Sequence, residues 1–147
     1  MIEVVKSQLI GTWRLVSFEL RDESGDVRYP LGKSPLGQIS YTPEGRMSVL
    51  LVQPERPPFA SGDMRRGTDT EVRSAFEGFI GYFGTYSVDA AAGTVTHHVQ
   101  GASFPNWMGG DQVRFCKLEG TRLILSTPPF LYDGQINRSV LIWERCE

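Results

Sequence analysis

The chain has 147 residues, 40% hydrophobic and 22% charged, the balance of one ordinary globular domain spanning 1–147 with length enough to bury a core. A formal net charge of −2 supplies no clustered basic surface, so nucleic acid is not an expected partner. The two cysteines, Cys116 and Cys146, lie far apart and make no CxxC pair, which argues against a metal or redox motif.

The N-terminal segment MIEVVKSQLIGTW has no long apolar core and no small-residue cleavage site, so a secretory signal is not expected. No apolar run approaches the roughly 20 residues of a membrane span. With sparse cysteines read as reduced thiols, although a disulfide is allowed by count, the expected location is the cytoplasm.

Residues 2–8 read as a short helical turn whose Val5, with Leu9, covers one end of the fold. Residues 12–21 are rich in β-branched and aromatic side chains and predict a long strand ending at a polar turn, 22–25. Strands follow at 37–42 and 46–53. Pro43-Glu44-Gly45 between them has the proline and glycine of a tight turn. Residues 54–70, with three prolines and several charges, predict a loop. Over 69–80 Val72, Ala75, Phe76 and Phe79 fall at helical spacing, with Thr68 or Asp69 as N-cap, and predict a helix lying as a lid over one end of the sheet. Strands resume at 82–89 and 94–101. The segment 103–110, SFPNWMGG, is a loop. Strands at 112–118, 121–127 and 137–145 complete the pattern, with Pro128-Pro129 as a break.

About eight strands joined mostly by short turns predict an all-β fold, an antiparallel up-and-down barrel with one short lid helix. Two strands carry apolar residues on both faces: Trp13 and Leu15 against Val16, Phe18 and Leu20, and Tyr82, Tyr86 and Val88 against Phe83. External packing or a homodimer interface would account for this pattern.

The candidate site residues are few. His97 and His98 are adjacent in one strand and so point to opposite faces, which makes them poor joint metal ligands. His97 shares a face with Val95 and Val99, read as the inward one. It is then either an interior imidazole able to exchange protons or a core histidine satisfied by a tyrosine or backbone partner. Tyr41, Tyr82 and Tyr86 can offer phenols to a ligand, and Tyr86 with His97 is the candidate acid–base pair. Asn106 and Trp107 sit on a loop that can fold over a barrel mouth. Arg114 is either an inward charge for a carbonyl or anionic ligand, or an ordinary surface arginine. The signatures of serine hydrolases, P-loop and dinucleotide-binding proteins and zinc proteases are missing, and no cofactor or metal is expected.

One set of segments carries a family resemblance: LIGTWRLVS (9–17), PLGQISYT (35–42), GRMSV (45–49), YFGTY (82–86), THHV (96–99), PNWMG (105–109) and RF (114–115), closed by Arg145. Together they resemble the small bacterial and fungal lipocalin-like domain proteins, over nearly the whole chain. The resemblance implies a lipocalin-like barrel, with Trp13 plugging its base and Arg145 packed across the indole. Barrel mouths are common ligand sites, so the expected function is to hold a small, largely apolar molecule inside. The alternative the resemblance implies is a cofactor-independent isomerase or cyclase acting on a polyketide- or terpenoid-like intermediate. Family likeness supports a fold more firmly than a reaction.

Overall fold

The computed structural model describes residues 5–146. The expected turn over 2–8 begins outside them; within them the first helix, α1, is Lys6–Leu9. Ten strands follow in chain order: β1 (Gly11–Asp22), β2 (Val27–Arg28), β3 (Leu36–Tyr41), β4 (Arg46–Val52), β5 (Phe79–Asp89), β6 (Thr94–Ala102), β7 (Asp111–Glu119), β8 (Arg122–Ser126), β9 (Phe130–Tyr132) and β10 (Gln135–Arg145). A second helix, α2 (Asp69–Glu77), precedes β5, and a single 3₁₀ turn, Pro105–Trp107, precedes β7.

The strands run antiparallel in the order β2-β1-β3-β4-β5-β6-β7-β8-β10-β9, and β1 also pairs with β10. That pairing closes β1, β3–β8 and β10 into an eight-stranded barrel, with β2 and β9 as short outer additions. The up-and-down barrel expected from the turns is thus the fold. The β3–β4 hairpin shows how the sequence builds it. Gly45 takes φ +91, which a glycine adopts without a Cβ penalty, and Thr42 N–H donates to Arg46 O at 2.8 Å to start the ladder.

The base of the barrel is closed by Trp13, fully buried, whose Nε1 donates to Leu9 O at 2.9 Å. The Arg145 guanidinium sits 4.1 Å from the Trp13 ring centre and donates to Ile10 O at 2.9 Å and to Gln8 O at 2.6 Å. The last strand is thereby fastened to α1 across the indole, the arrangement the family resemblance implies.

The two-faced pattern of the first strand has a local cause. The β1–β10 register slips between Leu15 and Ser17, leaving Val16 as the extra residue of a β-bulge. The bulge shifts the alternation by one, so Trp13, Leu15, Phe18 and Leu20 all point inward and all are buried. No outer partner is needed to explain β1. A second slip lies between β5 and β6 after Phe83. There the strands approach so closely that a Cβ on Gly84 would lie 1.8 Å from His98 O. Phe83 itself lies outside, half exposed, its ring over Gly101.

The predicted helix over 69–80 is present as the shorter α2, which joins the end of β4 to the start of β5. Thr68 caps it, accepting from Glu71 N–H at 3.1 Å while Glu71 Oε1 accepts from Thr68 N–H at 2.8 Å. It stops at Gly78, because Phe79 and Ile80 pair with Val52 and Leu51 of β4. No residue of α2 is buried, and Val72 and Phe76 stay half exposed.

Replacing Arg145 by Met keeps the side-chain stem but removes the stacked charge and two hydrogen bonds. Arg145→Met should lower unfolding free energy by about 1–2 kcal/mol in urea titrations. An unchanged midpoint would mean that the base closes without this latch.

Candidate functional site

The barrel interior holds a cavity of about 390 Å³ between the Trp13 base and the opposite rim. At about 30 Å³ per water this is room for on the order of a dozen waters, within the size range of small-ligand pockets. Most of its wall is apolar, with Phe18, Ile39 and Val49 from β1, β3 and β4 and Leu125, Leu141 and Trp143 from β8 and β10. Tyr82 on β5, His97 on β6, and Asp111, Gln112 and Arg114 on β7 form a polar arc on three adjacent strands, while Thr127, Tyr132 and Ser139 place further polar atoms on the β8–β10 side. The 3₁₀ turn and the Pro128–Phe130 segment form part of the rim, with Trp107 edge-on to Tyr82 at 5.9 Å and to Phe104 at 5.2 Å between ring centres.

His97 is the centre of that arc. Strand alternation puts Val95, His97 and Val99 inside, all buried, and His98 outside. Each ring nitrogen of His97 meets a phenol at 2.6 Å: Nε2 meets Tyr41 Oη and Nδ1 meets Tyr82 Oη. Burial, reinforced by the nearby Arg114 charge, holds the imidazole at a pKa of about 3, so it is neutral at physiological pH. Burial pushes both phenols above their ordinary value; for Tyr82 the Arg114 guanidinium pulls the other way. His97 therefore has no free lone pair with which to take a proton from a ligand. Its two nitrogens are engaged, and protonation is opposed.

The remaining candidates fall in different places. Tyr41 is buried and is not part of the cavity wall; it reaches the wall only through His97. Tyr86 faces His97 across the β5–β6 ladder, but its hydroxyl donates to Thr42 O at 2.7 Å and it does not line the cavity. Asn106 is exposed in the 3₁₀ turn and lies off the wall, whereas its neighbour Trp107 is on it. Arg114 points inward and is half-buried, donating to Val113 O at 2.9 Å and Gln112 Oε1 at 3.0 Å. Among the described residues no carboxylate is in ion-pair contact with it. The sequence reading did not single out Gln112, Thr127, Ser139 or Trp143, all on the wall. The alternation Asn137, Ser139, Leu141, Trp143 along β10 is the signal that could have found the last two.

On the outer wall, Ser87 Oγ lies 3.0 Å from His98 Nε2, and His98 Nδ1 lies 2.8 Å from Asp111 Oδ1. The connectivity is that of a serine-hydrolase triad. Ser87 and His98 do not line the cavity, however, and on an open sheet face water competes for every bond that would steady an oxyanion.

The buried neutral state of His97 has a signed consequence. Its native pKa of about 3 lies below the ordinary 6.5, so between these values the unfolded chain binds a proton that the native one refuses. Stability is full above about pH 6.5 and falls as pH drops towards 3. In His97→Gln, the loss of unfolding free energy from pH 7 to pH 4 should be smaller than in wild type by on the order of 3 kcal/mol. Superimposable pH profiles in urea titrations would show that His97 is not held neutral.

Comparison with known proteins agrees with the barrel. The lipocalin-like domain family matches residues 10–146. One relative, the 4'-hydroxy-3'-methoxypropiophenone carrier protein ppsC of Aspergillus oryzae, is 33% identical over 67% of this chain and 96% of its own length. A closed eight-stranded barrel with its base latched through Trp13 and Arg145, matched from residue 10 to residue 146, makes this chain a member of the lipocalin-like domain family.

Proposed function

We propose that the protein is a carrier that holds a small, largely apolar aromatic molecule bearing an oxygen function inside its barrel. The observation that carries this reading is the cavity of about 390 Å³, apolar on most of its wall with a few polar side chains. Such a site holds a ring system by burial and fixes its orientation with a few hydrogen bonds. The relative named as a carrier of an aryl ketone supports the same class of cargo.

The alternative of an isomerase or cyclase needs a base facing the ligand. His97, the candidate, has both nitrogens engaged by tyrosines, and Tyr86, its candidate partner, does not line the cavity. Asp111 is the one wall carboxylate among the described residues; it lies 60% exposed and bonded to His98. These placements favour carriage over proton abstraction. Among the described residues no helix is long and apolar enough to cross a membrane. Cys116 and Cys146 are both free thiols, and burial pushes Cys116 up to about 11; both suit the reducing cytoplasm in which we place the protein.

Trp107 and Trp143 on the wall provide the assay. Titration with 4'-hydroxy-3'-methoxypropiophenone should change tryptophan emission saturably at one molecule per chain. Leu141→Trp, which fills the cavity from β10, should weaken binding at least about tenfold. No emission change and no heat of binding at millimolar ligand would sink the carrier reading.

A further inference from the structure

A neutral imidazole has one donor and one acceptor. The two 2.6 Å contacts of His97 must therefore run head to tail, and only two directions exist. In one, Tyr82 O–H donates to Nδ1 and Nε2–H donates to Tyr41 Oη. The proton of Tyr41 is then left over. Tyr41 is 2% exposed, is not on the cavity wall, and its hydroxyl has no other partner among the described residues. A buried hydroxyl left unsatisfied in this way is strongly disfavoured. In the other direction, Tyr41 O–H donates to Nε2 and Nδ1–H donates to Tyr82 Oη. The spare proton is then on Tyr82, which lines the cavity.

The wall groups nearest Tyr82 add donors, whereas the acceptors Asp111 and Thr127 are engaged with His98 and Ser139. Arg114 has N–H groups beyond the two that reach Val113 O and Gln112 Oε1, and guanidinium offers no acceptor. Gln112 Oε1 is already accepting from Arg114. Trp143, fully buried on the wall, has an indole N–H with no partner among the described residues. Resting on the carrier reading, we infer that the hydrogen-bond chain Tyr41→His97→Tyr82 is polarised towards the cavity and selects cargo that presents an oxygen acceptor, a ketone or quinone carbonyl, to the Tyr82 hydroxyl beside Arg114. Tyr41 and His97 act here as positioning residues, because they set which way the Tyr82 proton points without touching the cargo.

The test pairs a spectrum with a binding ratio. In ¹⁵N-labelled protein at pH 7, His97 should be the Nδ1–H tautomer, with a pyridine-type shift at Nε2. Propiophenone and propylbenzene, alike in shape but differing in the carbonyl, are then titrated into wild type and Tyr82→Phe by tryptophan fluorescence. Wild type should bind the ketone about tenfold tighter than the hydrocarbon, and Tyr82→Phe should bring the ratio close to one. An Nε2–H tautomer, or equal affinities in wild type, overturns this inference and leaves the carrier reading standing. Failure of both probes to bind overturns both.

Discussion

Strand β1 pairs with β10 from Trp13–Arg145 to Asp22–Asn137, and that one seam turns a meander into a ring. A ring has no sheet edge, so its backbone groups are paired without help from a partner. Its interior also has a fixed width, set by strand number and stagger, and at eight strands the space is filled by side chains or holds one small guest. Here both happen at different heights. Trp13 fills the base, and above it the side chains leave a cavity of about 390 Å³. The latch of Arg145 over Trp13 lies where the seam begins, so the element that closes the ring also seals its floor.

Above the floor the interior is lopsided. Three consecutive strands, β5 to β7, bring Tyr82, His97 and Arg114 to one side, and the others bring mainly hydrocarbon. Polar groups buried in a dry barrel must satisfy one another, and the 2.6 Å contacts at both nitrogens of His97 do so. The same satisfaction that makes the network stable removes the imidazole from acid–base work. The histidine orders its neighbours, which supports the proposed reading of the barrel as a container.

Much of this architecture was legible in the sequence, because strand alternation and turn chemistry are local. Pro43-Glu44-Gly45 announced its hairpin, and the Val95-x-His97-x-Val99 alternation announced an inward imidazole. What was not legible depended on register. Nothing in residues 11–22 marks Val16 as a bulge, so two inward sets looked like two faces. The helix was read through Phe79 because its spacing continues, but pairing of Phe79 with Val52 competes for that residue and wins. Tyr86 and Tyr82 share a face, and only the three-dimensional path of each side chain separates a phenol bonded to Thr42 O from one on the cavity wall. Trp107 could be placed on a loop, yet its packing against Tyr82 required knowing where β5 and the loop meet.

The fastening of Arg145 to Gln8 and Ile10, with Cys146 N–H donating to Thr12 O, sets the two ends of the described chain side by side. They leave from the sealed floor, whereas Trp107, Pro128 and Phe130 mark the rim at the far end. Lys6 and Cys146 therefore both lie on the side away from the entrance. Floor and entrance are thus separate constructions: the ends of the described chain seal one, and the opening at the other is framed by the 3₁₀ turn and the Pro128–Phe130 segment.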